Sequence, residues 1–141
     1  MSLIYWDTML FVYWLESNPE YKHRVQEIHD RMEQREDKLC TSTFAVGEML
    51  ISSAKAKDVT MRSLIRGYFE TSGVKLLPFD WETAELYSHI RAENHVSPAD
   101  AIHLASAAQA RADLFLTNDR RLSRLTIPGI HFIAAMDTDL F

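Results

Sequence analysis

The sequence predicts an α/β fold: a three-layer α/β/α sandwich around a mainly parallel, five-stranded sheet. Short apolar segments of strand length alternate along the chain with longer segments whose apolar residues recur at helical spacing. Such alternation is typical of strands joined by right-handed crossovers, with helices on both faces of the sheet. No linker rich in glycine, serine or proline interrupts the chain, so we expect one domain, residues 1–141.

The first strand and the first two helices are predicted near the start of the chain. The apolar run Leu3 to Trp6 predicts a strand, and the apolar stretch from Thr8 to about Glu16 predicts a helix that follows Asp7. The pair Asn18-Pro19 breaks that helix. A charged segment then predicts the second helix, because its apolar residues recur at helical spacing: Tyr21, Val25, Ile28 and Met32.

The next predicted elements are a strand and two helices. Leu39 to Ser42 predicts a buried strand that contains Cys40, the only cysteine, for which we expect no disulfide. Phe44 to Ala54 predicts the third helix. A fourth begins near Asp58, a residue type common at N-caps, and ends before Gly73. Four of its residues are predicted to point inward: Met61, Leu64, Ile65 and Tyr68.

The second half of the chain predicts three strands and three helices. Pro78 closes the first of these strands, and Pro98 stands at the first position of a helix, which is the position proline favours. The elements, in chain order, are the strand Val74 to Leu77, the helix Trp81 to Asn94, the helix from Ser97 to Ala112, the strand Leu114 to Leu116, a short helix from Arg120 and the strand Ile130 to Ile133.

Composition and charge exclude some classes of protein. The net charge is −5, with 20 acidic against 15 basic residues, which excludes nucleic-acid binding by bulk positive charge but not a local basic rim. The apolar run from Met9 to Leu15 is too short to cross a bilayer, and no basic segment precedes it as in a signal peptide. We therefore expect a cytoplasmic protein with no membrane association.

Four acidic residues are predicted to meet at one edge of the sheet. Asp7 and Asp119 follow the first and fourth strands, and Glu48 lies on the helix that leaves the second. Asp100 lies at the start of the helix that leads into the fourth strand. The carboxyl ends of parallel strands share one edge, which is where such sheets bind ligands. We expect the four side chains to converge there.

Each of these acids can also be given a structural explanation. The three aspartates suit helix starts, where a carboxylate accepts hydrogen bonds from free backbone N–H groups. Glu48 fits a structural role poorly, because it shares a helical face with Phe44 and Ile51. A buried carboxylate without a partner costs several kcal/mol, roughly 2–7 for polar groups in general. Glu48 therefore needs either a basic side chain or a metal ion.

Clustered carboxylates favour a cation. Two of them about 4 Å apart repel by roughly 4 kcal/mol at an effective dielectric constant of about 20. Mg²⁺ or Mn²⁺, which prefer oxygen ligands, would relieve this repulsion, and their bound water would supply a nucleophile for phosphodiester cleavage. Thr8 and Thr117 stand beside or near these acids, where their hydroxyls would orient water or phosphate, or serve as caps.

Other residues near the predicted edge have weaker assignments. Arg120 and Arg121 directly follow Asp119 and are candidates for contact with RNA phosphates, although solvated side chains are the ordinary explanation. His103, one turn after Asp100, is predicted to be a core or supporting residue rather than a metal ligand. The three tryptophans are predicted to lie in the core or at a dimer interface: Trp6, Trp14 and Trp81.

Taken together, four short motifs carry a family resemblance over nearly the whole chain. They are Asp7-Thr8, Val46-Gly47-Glu48, the stretch Ser97 to Ala105 (SPADAIHLA) and Leu116-Thr117-Asn118-Asp119. In this order and spacing the set resembles the PIN-domain family, and in particular its VapC-like toxins. The resemblance also has one departure, because Met9 stands where the family often has a small polar residue.

The resemblance implies a fold, an activity and partners. It implies an α/β/α sandwich and an endoribonuclease with Mg²⁺ or Mn²⁺ held by Asp7, Glu48, Asp100 and Asp119. It also implies a homodimer and a cognate antitoxin of a type II pair. Two alternatives stay open: a non-catalytic PIN-like binding module, and a phosphoryl-transfer enzyme with an aspartate nucleophile, although Met9 occupies the place of the second acid that such phosphatases carry.

Overall fold

A five-stranded, all-parallel sheet forms the middle of the molecule. The computed structural model describes residues 1–140. In space the strands follow the order β3-β2-β1-β4-β5, and each neighbouring pair is parallel. Their bounds are β1 Leu3–Trp6, β2 Lys38–Ser42, β3 Lys75–Leu77, β4 Leu114–Thr117 and β5 Phe132–Ala135. The α/β class and the five-stranded sheet are confirmed, and the sheet is parallel throughout these pairs.

Helices cover both faces of this sheet. Their bounds are α1 Thr8–Leu15, α2 Lys22–Arg35, α3 Thr43–Ala56, α4 Val59–Thr71, α5 Trp81–Glu93 and α6 Pro98–Gln109, and a 3-10 turn spans Leu122–Arg124. Five of the six α-helices begin at a residue whose side chain accepts a backbone hydrogen bond: Asp7, Ser42, Asp58, Asp80 and Ser97. No helix within residues 1–140 is long and apolar enough to span a lipid bilayer.

Two separate hydrophobic cores lie on the two faces of the sheet. Side chains alternate between the faces along each strand, so Ile4 and Trp6 pack with α1 to α4, whereas Tyr5 packs with α5 and α6. Phe115 and Leu116 divide in the same way on β4. The result is the predicted three-layer α/β/α arrangement.

The inner face of α6 consists largely of alanine. Ala101, Ala105, Ala107 and Ala108 are each no more than 4% exposed, and Leu104 between them is fully buried. Small side chains allow a helix to approach its neighbours closely. Such contact is visible at the end of α6, where the loop at Gly129 lies against the backbone of Ala108.

Cys40 lies in β2 and is fully buried, as predicted. Burial raises the pKa of its thiol to about 12, because a thiolate would lose its hydration there. At neutral pH the side chain is therefore an uncharged, unreactive part of the core.

The sequence predictions for the packing of α4 and for the end of α6 are wrong. Leu64 is 48% exposed, and α4 instead turns Met61, Ile65 and Tyr68 inward, at spacings of four and three residues. Trp81 was predicted in the core or at a dimer interface; it is 74% exposed and so lies outside the core, and its indole N–H donates to Glu85 Oε1 at 2.6 Å. The helix predicted to reach residue 112 ends three residues earlier, at 109.

The fifth strand begins two residues later than predicted. Ile130 closes a turn in which its N–H donates to the carbonyl of Ile127 at 3.1 Å, and its side chain enters the core. Pro128 and Gly129 form this turn, and Gly129 has a φ of +100°, a conformation that favours glycine. The ladder to β4 therefore starts only at Phe132.

We expect Gly129→Ala to destabilise the protein by about 1–3 kcal/mol. An added Cβ would lie 2.8 Å from the Ala108 carbonyl oxygen, on a backbone with φ of +100°. Urea denaturation measures the change. Gly67→Ala is the matched control, because Gly67 lies within α4 with nothing near its Cβ position. That control should gain roughly 0.5–1 kcal/mol. Equal stability of Gly129→Ala and wild type would contradict the expectation.

Candidate active site

All four predicted acids line one groove at the carboxyl edge of the sheet. The groove has a volume of about 610 Å³ and lies between the start of α1, the middle of α3 and the start of α6. Met9, Val12 and Ile51 add apolar surface to its wall. Ile51 is 51% exposed, so the helical face that it shares with Glu48 faces the groove rather than the core.

Asp7 is held by both of its carboxylate oxygens. It is the N-cap of α1, and its Oδ1 accepts from the Thr8 N–H at 2.8 Å. Its Oδ2 accepts from the Thr117 hydroxyl, also at 2.8 Å. Asp7 as a whole residue is only 8% exposed. Asp7 thus performs the capping role expected of a helix-start residue and still faces the groove.

Thr117 connects Asp7 with Asp119. While its hydroxyl donates to Asp7, its oxygen accepts from the Asp119 N–H at 3.0 Å. Thr8 acts similarly toward Glu48, because its hydroxyl donates to Glu48 Oε1 at 2.6 Å. Both hydroxyl protons are therefore already bound to carboxylates. In this structure the threonines orient acids.

Both candidate RNA-binding arginines form ion pairs. Arg121 binds Asp119 with two nitrogens, Nε to Oδ1 at 3.1 Å and Nη2 to Oδ2 at 2.7 Å. These hydrogen bonds lower the pKa of Asp119. Arg120 pairs with Asp137 through one nitrogen, Nη2 to Oδ2. Both arginines remain highly exposed, at the rim of the groove, so the pairs exchange readily with solvent or another anion.

Glu48 has the partner that its sequence position requires. Its Oε1 accepts from His103 Nε2 at 2.6 Å as well as from Thr8. Burial raises the pKa of Glu48, but the hydrogen bonds from His103 and Thr8 together lower it below its ordinary value. His103 Nε2 also lies 3.5 Å from Asp7 Oδ1, so one imidazole contacts two of the four acids.

Two residues on the core side of His103, Tyr5 and Ser42, were not predicted to belong to the site. The Nδ1 of His103 lies 2.7 Å from the hydroxyl of Tyr5, which also bonds Ser42 Oγ at 2.9 Å. All three residues are at most 2% exposed. The available signal was the position of Tyr5 within an otherwise apolar strand, because a buried phenol needs a polar partner.

Asp100 lies near enough to Asp7 and Asp119 to be affected by their charges. It lies in the first turn of α6, where its N–H donates to Ser97 Oγ at 3.1 Å. Burial raises the pKa of Asp100, and the negative charges of Asp7 and Asp119 raise it further. The three aspartates are therefore near enough to repel one another, and that repulsion is what a bound cation would relieve.

The donor set of the groove suits a hard cation. Four carboxylates provide the oxygen ligands that Mg²⁺ and Mn²⁺ prefer. They frame the groove without closing on one point: within residues 1–140, the trio with ligand atoms mutually within 4.8 Å is instead His29, Asp30 and Glu33, on α2. Mg²⁺ keeps several of its waters and needs few direct carboxylate ligands, so an open frame is compatible with it.

Comparison with known proteins identifies the family. A family model described as PIN domain matches residues 4–128. The chain belongs to the PIN-domain family. The match covers all four acids of the groove, and it confirms the resemblance drawn from the four motifs. A comparison of this PIN domain with curated proteins finds no match.

Solved structures share the fold of this PIN domain at low sequence identity. A chain in the crystal structure of VapBC2 from Rickettsia felis, bound to a promoter DNA fragment, has a TM-score of 0.72 and 16% identity, covering 94% of this chain and 98% of its own. DNA-bound VapBC from Salmonella typhimurium gives 0.69 and 22%, covering 96% and 99%. FitAcB from Neisseria gonorrhoeae gives 0.62 and 23%, covering 82% and 87%. These likenesses confirm the PIN-like α/β fold.

We expect Thr117→Val to destabilise the domain by about 1–3 kcal/mol, because it leaves Asp7 Oδ2 and the Asp119 N–H without their buried partner. Thr117→Ser is the control, since it keeps the hydroxyl and removes one methyl group, worth about 1 kcal/mol. Urea denaturation in EDTA compares the two variants. A valine variant at least as stable as the serine variant would show that the hydroxyl does not hold the acids.

Proposed function

We propose that this PIN domain is a divalent-metal-dependent endoribonuclease that cleaves RNA phosphodiester bonds. The observation that carries the proposal is the meeting of Asp7, Glu48, Asp100 and Asp119 in one open groove. Burial raises the pKa of Asp100 there, and the negative charges of Asp7 and Asp119 raise it further, so a cation beside Asp100 would be favourable. A structural role for all four would not require them to share a groove.

Asp7, Glu48, Asp100 and Asp119 would hold Mg²⁺ or Mn²⁺. When bound, such an ion supplies an activated water and neutralises charge on the phosphodiester. The residues of the chain prepare the acids for this. Thr117 fixes Asp7 and the backbone of Asp119, and Thr8 with His103 fixes Glu48, each through hydrogen bonds of 2.6 to 3.0 Å.

The arginines at the rim of the groove are suited to binding a polyanionic substrate. Arg120 and Arg121 are exposed beside the acids, and each already binds a carboxylate in the free protein. Guanidinium groups bind phosphate oxygens with the same geometry, so RNA phosphates would replace these carboxylates. The groove is partly open to solvent, which gives access to a substrate, and with a net charge of −5 the arginines at this rim are the local attraction for phosphates.

We further propose that the domain, residues 1–141, is the toxin of a type II toxin-antitoxin pair. The fold is shared with chains of VapBC structures, and one similar structure, from Klebsiella pneumoniae, is described as a toxin-antitoxin complex. On this proposal a cognate antitoxin covers the acidic groove, the toxin forms a homodimer, and the pair acts in the cytoplasm. A non-catalytic binding module is the alternative that the tests below separate.

An aspartate-nucleophile mechanism is less well supported by the geometry. Both oxygens of Asp7 already accept hydrogen bonds, from the Thr8 N–H and the Thr117 hydroxyl. Such bonds withdraw electron density from a carboxylate and fix it in place. Met9, two residues on, also cannot supply the acid that this chemistry needs.

We expect purified protein to cleave structured RNA with Mg²⁺ or Mn²⁺ and to lose that activity in EDTA. Asp7→Asn should lower the rate by about 100-fold or more, since the ion contributes several kcal/mol of transition-state stabilisation. Asp30→Asn, a surface acid on α2, is the control and should keep the wild-type rate. Equal cleavage by wild type and Asp7→Asn would contradict the proposal and point to a contaminating nuclease.

We expect Mn²⁺ to raise the melting temperature of the wild type, because ligation stabilises the native state. At 100 times its Kd, the ion stabilises by about 2.7 kcal/mol. Asp100→Asn should reduce the shift, whereas Asp30→Asn should preserve it, although Asp30 belongs to the tighter trio on α2. Loss of the shift in Asp30→Asn alone would assign the binding to α2 and remove the support for the groove. No shift in wild type would favour the binding module.

A further inference from the structure

A chain of four hydrogen-bonded side chains runs from the core to the groove. Ser42 Oγ lies 2.9 Å from the Tyr5 hydroxyl, which lies 2.7 Å from His103 Nδ1, and His103 Nε2 lies 2.6 Å from Glu48 Oε1. Each of the first three is at most 2% exposed, whereas Glu48 reaches the groove. No other acid of the groove is connected to the core in this way among the hydrogen bonds of residues 1–140.

The acceptor chemistry of Glu48 fixes one proton of His103. A carboxylate only accepts hydrogen bonds, so His103 Nε2 must carry a proton and donate it to Glu48. On the other side of the ring, Nδ1 lies against the Tyr5 hydroxyl, which donates to Ser42 Oγ. Both ring nitrogens and both hydroxyls thus have a hydrogen-bond partner, and neither nitrogen of His103 is left to bind a metal ion.

The imidazole is also held by packing. Tyr5 contacts its ring edge-on at 5.9 Å between centroids, and Phe44 does so at 5.3 Å. Tyr5 in turn stacks on Phe115 with an angle of 7° between the rings. Ser42 caps α3 by accepting from the Ala45 N–H at 3.0 Å, so the helix that carries Glu48 is tied to the same chain at its start.

We propose that His103 is the positioning residue of Glu48, and that the hydroxyl of Tyr5 holds the other nitrogen of the imidazole in place. His103 and Thr8 both bind Oε1 of Glu48, and within residues 1–140 no hydrogen bond reaches Oε2. The carboxylate is thereby fixed with one oxygen inward and the other available to a cation in the groove. The cation part of this inference rests on the proposed function. Partners that orient metal ligands in this way typically change metal affinity by about 10- to 100-fold when they are replaced.

Calorimetric titration with Mn²⁺ alone, in the absence of RNA, tests the positioning role. His103→Leu should weaken Mn²⁺ binding about 10-fold or more. His103→Gln should stay within about threefold of wild type, because its amide N–H can replace the Nε2 donor. Ser106→Ala is the control. Ser106 is buried one turn along α6, and within residues 1–140 its hydroxyl has no hydrogen-bond partner, so binding should not change.

The outcomes separate this inference from the proposed function. Wild-type affinity in a folded His103→Leu would overturn the positioning role alone, as would equal losses in the Leu and Gln variants. Wild-type protein that binds no Mn²⁺ would overturn the proposed function and this inference together. Circular dichroism in the near ultraviolet establishes that each variant is folded.

A measurement on the wild type tests the tautomer without metal. Two-bond ¹H–¹⁵N correlation spectra distinguish imidazole protonated at Nε2 from imidazole protonated at Nδ1. His103, assigned by the signal that disappears in His103→Gln, should be protonated at Nε2. In Tyr5→Phe, which keeps the stacked ring but removes the hydroxyl, Nε2 should stay protonated, because Glu48 remains its acceptor. Protonation of His103 at Nδ1 alone in wild type would overturn the inference.

Discussion

The parallel pairing of β1 with β4 is the constraint on which the groove depends. Trp6 stands opposite Leu116 in this ladder, and the Asp7 N–H continues it by donating to the Leu116 carbonyl at 2.9 Å. Asp7, the first residue beyond β1, is therefore brought beside Thr117, the last residue of β4, and Thr117 becomes the bridge to Asp119. Parallel strands align their carboxyl ends, so the remaining elements need only deliver their side chains to the same edge.

The strands and the positions of the acids could be predicted from the sequence, because both follow from periodicity and from where apolar runs stop. Which side chains contact each other in space could not be predicted from the sequence. The sequence indicates that Glu48 needs a partner, but His103 lies 55 residues away and meets it only through the packing of α6 against α3. Arg121 is only two residues from Asp119, so the local backbone conformation decides whether its side chain faces that acid. No periodic pattern in the sequence encodes this conformation. The prediction for Leu64 was wrong because apolar residues at spacings of three and four compete for one helical face.

The core side and the solvent side of the site differ in how well their polar groups are paired. Toward the core, Tyr5, Ser42 and His103 form a fully satisfied polar chain, which stabilises a single arrangement. Toward solvent, burial raises the pKa of Asp100, and the charges of Asp7 and Asp119 raise it further. The groove thus combines a rigid frame with a carboxylate whose charged form is disfavoured, a combination that is common at functional sites.

The alanine face of α6 has a bearing on how this site tolerates change. Asp100 and His103 occupy one helix in which four of the seven buried side chains are alanine methyl groups, and protein interiors leave little spare volume around such groups. A larger residue at Ala101, Ala105 or Ala108 would have to lift the whole helix, and both groups would move with it as one body. In an activity screen, substitutions distant from the groove would then resemble substitutions of the groove residues themselves, even where the domain still folds.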